Sequence, residues 1–247
     1  MSEKIFILGA SGDFGVDLLK SILKKKDCTI GLHCFSGRLR LNNLLSEIKS
    51  KNRIKIFQSN LDSQKKCHMI IKNFLSWSGG VNKFIQLNGN VSKIKVWTKL
   101  NQKDFEKDIA VNLSSVFYIS QKIFENMKKK GGKIILTSTS SALHGGGENS
   151  LAYGISKSGI ISLTKALARF GAKNNIIANA IAPGFINSKF HTKVMKKNKK
   201  QLKERLKFIK LNRAGKLEDV TKLIMFLLFE NNYTTGEVIS VDGGDWI

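Results

Sequence analysis

The 247-residue sequence predicts an α/β fold: a single domain on a doubly wound parallel sheet of about seven strands, with helices on both faces. Three observations lead there. Short, β-rich apolar runs alternate with longer segments of helical period. A glycine-rich turn follows the first of those runs, and no internal repeat or Pro- or Ser-rich linker divides the chain, so one domain spans residues 1–247. Residues 5–9 read as strand one, with a helix after the turn to about Lys25. Residues 29–34 read as strand two, then a helix over 39–49; residues 54–58 give strand three, and 70–77 part of the next helix. Residues 84–87 read as strand four, and 104–130 as a long helix with Ile109, Leu113, Val116 and Phe117 in helical period. Strand five is 134–137, a helix runs from Ser150 to about Lys173, and strand six is 176–180. A helix over 217–229 precedes strand seven at 238–241.

Composition excludes several function classes. No apolar run approaches the roughly 20 residues of a membrane span, and the N-terminus MSEKIFILGAS lacks the long apolar region of a secretory signal. Cys28, Cys34 and Cys67 are too few and scattered for a disulfide framework or a metal site, so a reducing, cytoplasmic setting is expected. The formal charge is +24, from 42 Lys plus Arg against 18 Asp plus Glu. Such charge is the footprint of a nucleic-acid binder. Yet only 6 of the 42 are Arg, the preferred reader of phosphates and base edges, so a solvated lysine-rich surface is the expectation and nucleic acid is not. One stretch stands apart: residues 189–210 hold ten basic residues and a single acid, Glu204.

Residues 9–15, Gly-Ala-Ser-Gly-Asp-Phe-Gly, join strand one to its helix. Glycines there let the backbone approach a diphosphate, and the helix N-terminus supplies free amides, so Gly9, Ser11, Gly12, Asp13, Phe14 and Gly15 are expected to cradle a dinucleotide. Strand two ends without the acid that would bond an adenosine ribose; Arg38 follows instead and could pair with a 2′-phosphate. That favours NADP, with NAD possible, although the charge of Asp13 works the other way. Tyr153 and Lys157 stand four apart on one helix face, with Ser140 just past strand five and Asn112 on the preceding long helix. A cation beside a tyrosine favours the phenolate and moves its pKa down from about 10.

These elements together resemble the short-chain dehydrogenase/reductase family over essentially the whole chain, and most nearly its 3-oxoacyl-[acyl-carrier-protein] reductases. The matching segments, in family order, are the glycine turn, residues 111–117, Ser140 with residues 153–157, residues 179–185, Arg213-Ala214-Gly215, Thr235-Gly236-Glu237 and residues 241–244. The resemblance implies a Rossmann-type fold and an NADPH-dependent carbonyl reductase. In it Tyr153 gives a proton to the substrate oxygen, Ser140 hydrogen-bonds that oxygen, Lys157 bonds the nicotinamide ribose and tunes Tyr153, and Asn112 holds a water. Counting forward from strand five puts Thr139 in the place of Ser140, and Ser138 is a third candidate. Further cofactor positions implied are Asn60 and Leu61 beside the adenine, Asn88 and Gly89 after strand four, and the turn Pro183, Gly184, Ile186 and Ser188. The chain departs from the family pattern at Leu8, at Asp13 in place of the middle glycine, and at Gln86-Leu87.

The substrate implied is a 3-oxoacyl thioester on an acidic carrier protein, docked near Lys128–Lys130, Arg169 and Lys173 under a lid over residues 185–213. An oxidoreductase of a phosphorylated or nucleotide-linked sugar is the alternative. A non-catalytic dinucleotide- or nucleic-acid-binding protein is a second. A homotetramer or homodimer is implied, with Ile119, Ile123, Leu163 and Leu167 serving either that packing or the core.

Overall fold

Alternation along the first strand sends Ile5 and Ile7 to one face of a sheet and Phe6 and Leu8 to the other, and all four are fully buried. A strand buried on both faces belongs in the middle of a helix-covered parallel sheet. A computed structural model, which describes residues 2–25, 27–48, 50–245 and 247, has this arrangement.

The strands are β1 (Glu3–Leu8), β2 (Cys28–Cys34), β3 (Arg53–Gln58), β4 (Lys83–Gln86), β5 (Gly132–Thr137), β6 (Ile176–Pro183) and β7 (Val238–Val241). Their order is β3-β2-β1-β4-β5-β6-β7 and every neighbouring pair is parallel. The order reverses between β1 and β4, which opens a crevice at their carboxyl ends, where doubly wound sheets bind ligands.

Helices α1 (Asp13–Ile22), α2 (Arg38–Glu47) and α8 (Leu217–Phe229) pack on one face of the sheet. Helices α3 (Gln64–Ser78), α5 (Ser115–Met127) and α6 (Leu151–Gly171) pack on the other. The expected end of the second helix at Lys49 lies outside the described residues. Gly31 in β2 makes room for the Phe74 ring: a Cβ there would stand 2.4 Å from it. Phe74 in turn packs against Phe6 with ring centroids 4.7 Å apart. Ile119 and Ile123 are fully buried in this layer and serve the core.

The long helix expected over 104–130 is not continuous. It consists of α4 (Gln102–Ile109), a π turn (Ala110–Ser114) and α5. Asn112 explains the break. Its side-chain amide donates to the Asp108 carbonyl four residues back, at 2.9 Å, and to the Asn90 carbonyl at 2.8 Å. Insertion of a side chain into the backbone ladder is a recognised cause of such bulges. The basic stretch forms a second π turn (Phe190–Val194) and the short helix α7 (Lys199–Leu206). On its inner side Ile209 is buried, while Leu202 and Leu206 are half-buried.

Candidate active site

The turn after β1 closes tightly on the loop after β4. Gly9 has φ +83°, and a Cβ there would meet the Asn88 nitrogen at 2.6 Å, so only glycine fits. The Ala10 amide donates to the His33 carbonyl at 2.8 Å, which fixes the turn to the end of β2. Asp13 opens α1, where a carboxylate is favoured by the free amides and the helix dipole. Its two oxygens accept from the Arg40 guanidinium at 2.9 Å and from the Lys189 backbone amide at 2.7 Å. Arg40 also donates to the Ser11 carbonyl at 2.9 Å.

After β4, the fully buried Gln86 performs several tasks at once. Its amide nitrogen donates to the Asn88 carbonyl at 2.6 Å, and its amide oxygen accepts from the Thr137 backbone at 2.8 Å. Asn88 donates to the Val111 carbonyl at 2.8 Å. The departure from the family pattern at this segment is thus a hydrogen-bonded brace between β4, β5 and the long helix.

Lys157 lies on α6 and is buried to 1% exposure. Its ammonium donates to the Thr137 carbonyl at 2.8 Å and to the Asn88 carbonyl at 3.2 Å. It stands 5.7 Å from the centre of the Tyr153 ring. Burial lowers its pKa to about 7. The Tyr153 hydroxyl moves the other way: burial first, and then the charge of Asp108, raise its pKa. The downward push expected of a neighbouring Lys does not overcome burial, because burial favours the neutral amine of Lys157 as well.

Three hydroxyls compete for the place beside Tyr153. Ser138 lines the pocket, but its hydroxyl is committed to the Lys157 carbonyl, to which it donates at 2.9 Å. Ser140 is buried at the start of a 3₁₀ turn and does not line the pocket. Thr139 does line it, with its hydroxyl 3.3 Å from the Pro183 carbonyl. Counting forward from the end of β5 points to Thr139, whose half-buried side chain borders the pocket, whereas counting back from Tyr153 points to Ser140, which does not.

The pocket has a volume of about 480 Å³ and runs along the carboxyl ends of β1, β4, β5 and β6. It brings together Ser11, Gly12, Asp13, Phe14 and Gly15 from the glycine turn with Asn88, Gly89, Tyr153 and Lys157. Pro183, Gly184, Ile186 and Ser188 complete the far wall. Gly184 is obligatory there, since a Cβ would stand 2.5 Å from that of Asp242. A Cβ on Gly89 would project to 3.7 Å from both Lys157 and the Tyr153 ring, so this glycine keeps open the space beside the tyrosine.

Several expected residues lie elsewhere. Gly9 shapes the turn from behind. Arg38 is exposed on the first turn of α2 and misses the pocket, which Arg40 lines instead. Asn60 is exposed and donates to Asp62 at 2.8 Å, while Leu61 packs against the α3 side of the core; neither lines the pocket. Asn112 is fully buried outside the pocket, with both amide hydrogens committed to backbone carbonyls. No donor of that side chain is left for a water.

Sequence reasoning singled out residues 189–210 but did not identify which of them border the pocket. Lys189, Phe190, His191 and Lys193 line the pocket, and the Phe190 ring lies 5.7 Å from that of Tyr153. His191 packs on Phe185 at 4.7 Å; burial, then the charges of Lys197 and Arg205, lower its pKa to about 4. Among the described residues no cluster of His, Cys, Asp and Glu could hold a metal, and no helix is long and apolar enough to cross a membrane.

A family model described as Enoyl-(Acyl carrier protein) reductase matches residues 21–245. The 3-oxoacyl-[acyl-carrier-protein] reductase FabG of Buchnera aphidicola subsp. Baizongia pistaciae is 34% identical over 182 residues, covering 73% of this chain and 71% of that protein. The FabG of Chlamydia pneumoniae is 28% identical over 247 residues, covering 99% and 97%. Nodulation protein G of Rhizobium meliloti (strain 1021) is 29% identical over 245 residues, covering 98% and 96%. Among solved structures, ElxO with NADP bound superposes with a TM-score of 0.87 at 25% identity, covering 99% of each chain. A short-chain dehydrogenase/reductase from Serratia marcescens BCRC 10948, at 21% identity, shares the fold with a TM-score of 0.87 over 98% and 97% of the two chains.

Proposed function

The chain belongs to the short-chain dehydrogenase/reductase family and is an oxidoreductase; on that premise we propose that it uses NADPH to reduce the keto group of a 3-oxoacyl thioester on a carrier protein. The observation that carries this reading is a single pocket that joins the glycine turn to Tyr153 and Lys157. Its residues fit a dinucleotide: Gly9 and Gly15 stand where a Cβ would clash with backbone, so the turn closes tightly, and Gly89 leaves room beside the tyrosine for a flat ring. When bound, the cofactor supplies hydride to the carbonyl carbon.

The residues of the chain handle the proton. Burial keeps the Tyr153 hydroxyl protonated at neutral pH, ready to donate to the carbonyl oxygen as charge develops there. Thr139 takes the position proposed from sequence for Ser140 and donates a hydrogen bond to the same oxygen. Lys157, with a pKa of about 7, is the nearest store from which the phenolate regains a proton. Asn112 holds the π turn and, with Gln86, fixes the floor under Asn88 and Lys157.

Arg40 takes the part proposed for Arg38 and reads the 2′-phosphate, since it is the guanidinium on the pocket. The acyl carrier is favoured by the relatives' printed activities and by lysines at the mouth, Lys189 and Lys193, together with the exposed Lys128–Lys130, Arg169 and Lys173. Assembly into dimers or tetramers would cover the exposed Phe117 and Phe170 on α5 and α6, which with Leu163 and Leu167 line an apolar groove.

The test is NADPH consumption with a panel of 3-oxoacyl thioesters, simple ketones and a nucleotide-linked sugar. Turnover on the thioesters supports the reading. Turnover on the sugar alone replaces it with the second substrate class that the cationic mouth would attract.

A further inference from the structure

Among the described residues that line the pocket, Asp13 is the sole acid. It sits at the first position of α1, where free amides would otherwise draw an anionic ligand. One oxygen is held by Arg40 at 2.9 Å. The other accepts from the backbone amide of Lys189, 176 residues further along the chain, at 2.7 Å.

Lys189 immediately precedes Phe190, whose ring leans over Tyr153 with centroids 5.7 Å apart. The remaining hydrogen bonds of residues 188–198 join this segment to itself or to the start of α7: Met195 to Phe190, Lys197 to His191, Thr192 to Lys189, and the Asn198 cap. Among the described residues, the Asp13 bond is therefore the hydrogen bond that ties residues 188–198 to the body, while the later part of the lid is held by Arg205 on Asp245 and by the Leu211 amide on the Gly243 carbonyl at 3.1 Å. A carboxylate at the cofactor end of the pocket thus fixes the aromatic at its reacting end.

We propose that Asp13 is an internal anion that occupies the diphosphate seat and clasps the lid, so that a dinucleotide must displace the clasp in order to bind. Two like charges cannot share one helix N-terminus in a partly dry pocket without large repulsion. Arg40 can keep its oxygen of Asp13, whereas the Lys189 amide is free to exchange a carboxylate for a phosphate oxygen. Asp13 then sets both the affinity for cofactor and the closure of the lid before cofactor arrives. This inference rests on the dinucleotide reading for its first half; the clasp on the lid does not depend on it.

Two substitutions separate the halves. Asp13→Ala removes charge and acceptor, while Asp13→Asn removes the charge but keeps an acceptor for Lys189. Limited trypsin digestion of the ligand-free full chain reads cleavage at the lysines of 189–200, and calorimetry reads NADPH affinity. In Asp13→Ala the lid is cut about tenfold faster than in wild type and the NADPH dissociation constant falls about tenfold. In Asp13→Asn the affinity gain remains while the lid is cut near the wild-type rate. Wild-type cleavage rates in Asp13→Ala overturn the clasp, and NADPH binding no tighter in either variant overturns the occupied seat. If none of the three proteins binds NADPH or NADH, the dinucleotide reading itself fails and the digestion rates still decide the clasp.

Discussion

The ammonium of Lys157 donates to the carbonyl of Thr137 at 2.8 Å, pinning a buried cation to the end of β5. With the second bond to Asn88, that one contact orders three elements, α6, β5 and the loop after β4. It also places the amine beside Tyr153, where the burial that lowers its pKa to about 7 becomes useful chemistry.

The depressed pKa has a consequence for stability. An unfolded Lys keeps its proton to about pH 10.4, whereas Lys157 in the folded chain releases it near pH 7. Between those values the unfolded state binds more protons, so this group makes the fold more stable as pH rises. Its penalty is full below pH 7 and is relieved toward pH 10. Chemical denaturation of the ligand-free protein is expected to show a gain on the order of 2 kcal/mol from pH 6 to pH 9. Lys157→Met removes the titrating group and should lose that gain; equal slopes in the two proteins contradict the assignment.

Thr139, not Ser140, faces the pocket. Thr139→Val is expected to lower kcat about a hundredfold, in the range seen when one donor to a developing oxyanion is removed. Thr139→Ser keeps the donor and should retain most activity, and Ser140→Ala should change kcat less than threefold or so, because its hydroxyl is buried off the pocket. Steady-state kinetics on the three variants distinguishes these outcomes from a role for Ser140.

Arg40 and Arg38 are two residues apart on α2, and only Arg40 borders the cavity. Arg40→Ala should weaken NADPH about tenfold, close to 1.4 kcal/mol, and leave NADH nearly unchanged. Arg38→Ala should alter neither by more than about twofold. Calorimetric titration with both cofactors checks this, and a selective NADPH loss in Arg38→Ala alone would return the assignment to that residue.

Much of this architecture was legible in the chain itself, for physical reasons. Strand β1 announces itself by four apolar residues between charge and glycine, and β5 and β6 do so by Ile- and Ala-rich runs bounded by glycine or asparagine. The π turn at Asn112 was not legible, because helical periodicity passes through a one-residue bulge almost unchanged. Tyr153, Lys157 and the glycine turn depend on local spacing, and they meet in one pocket as expected. Arg40, Asn60 and Leu61 depend on the exact angle at which loops leave β2 and β3, and spacing does not encode that angle. A signal for Arg40 did exist: an acid standing where a glycine is expected, at Asp13, needs a cation nearby. The pocket positions of Phe190 and His191 were hidden for another reason: they depend on packing against Tyr153 and Phe185 and on a neighbouring bond that spans 176 residues, which leave no local pattern.

Tyr153 is the proton donor in the reduction we propose for this pocket. The most direct measurement compares NADPH consumption by wild type and Tyr153→Phe with a 3-oxoacyl thioester, alongside NADPH binding to each. We expect turnover to fall by about a thousandfold or more in Tyr153→Phe, within the span of acid catalysis plus lost positioning, while the cofactor dissociation constant changes less than about threefold. Undiminished turnover in Tyr153→Phe would contradict the account.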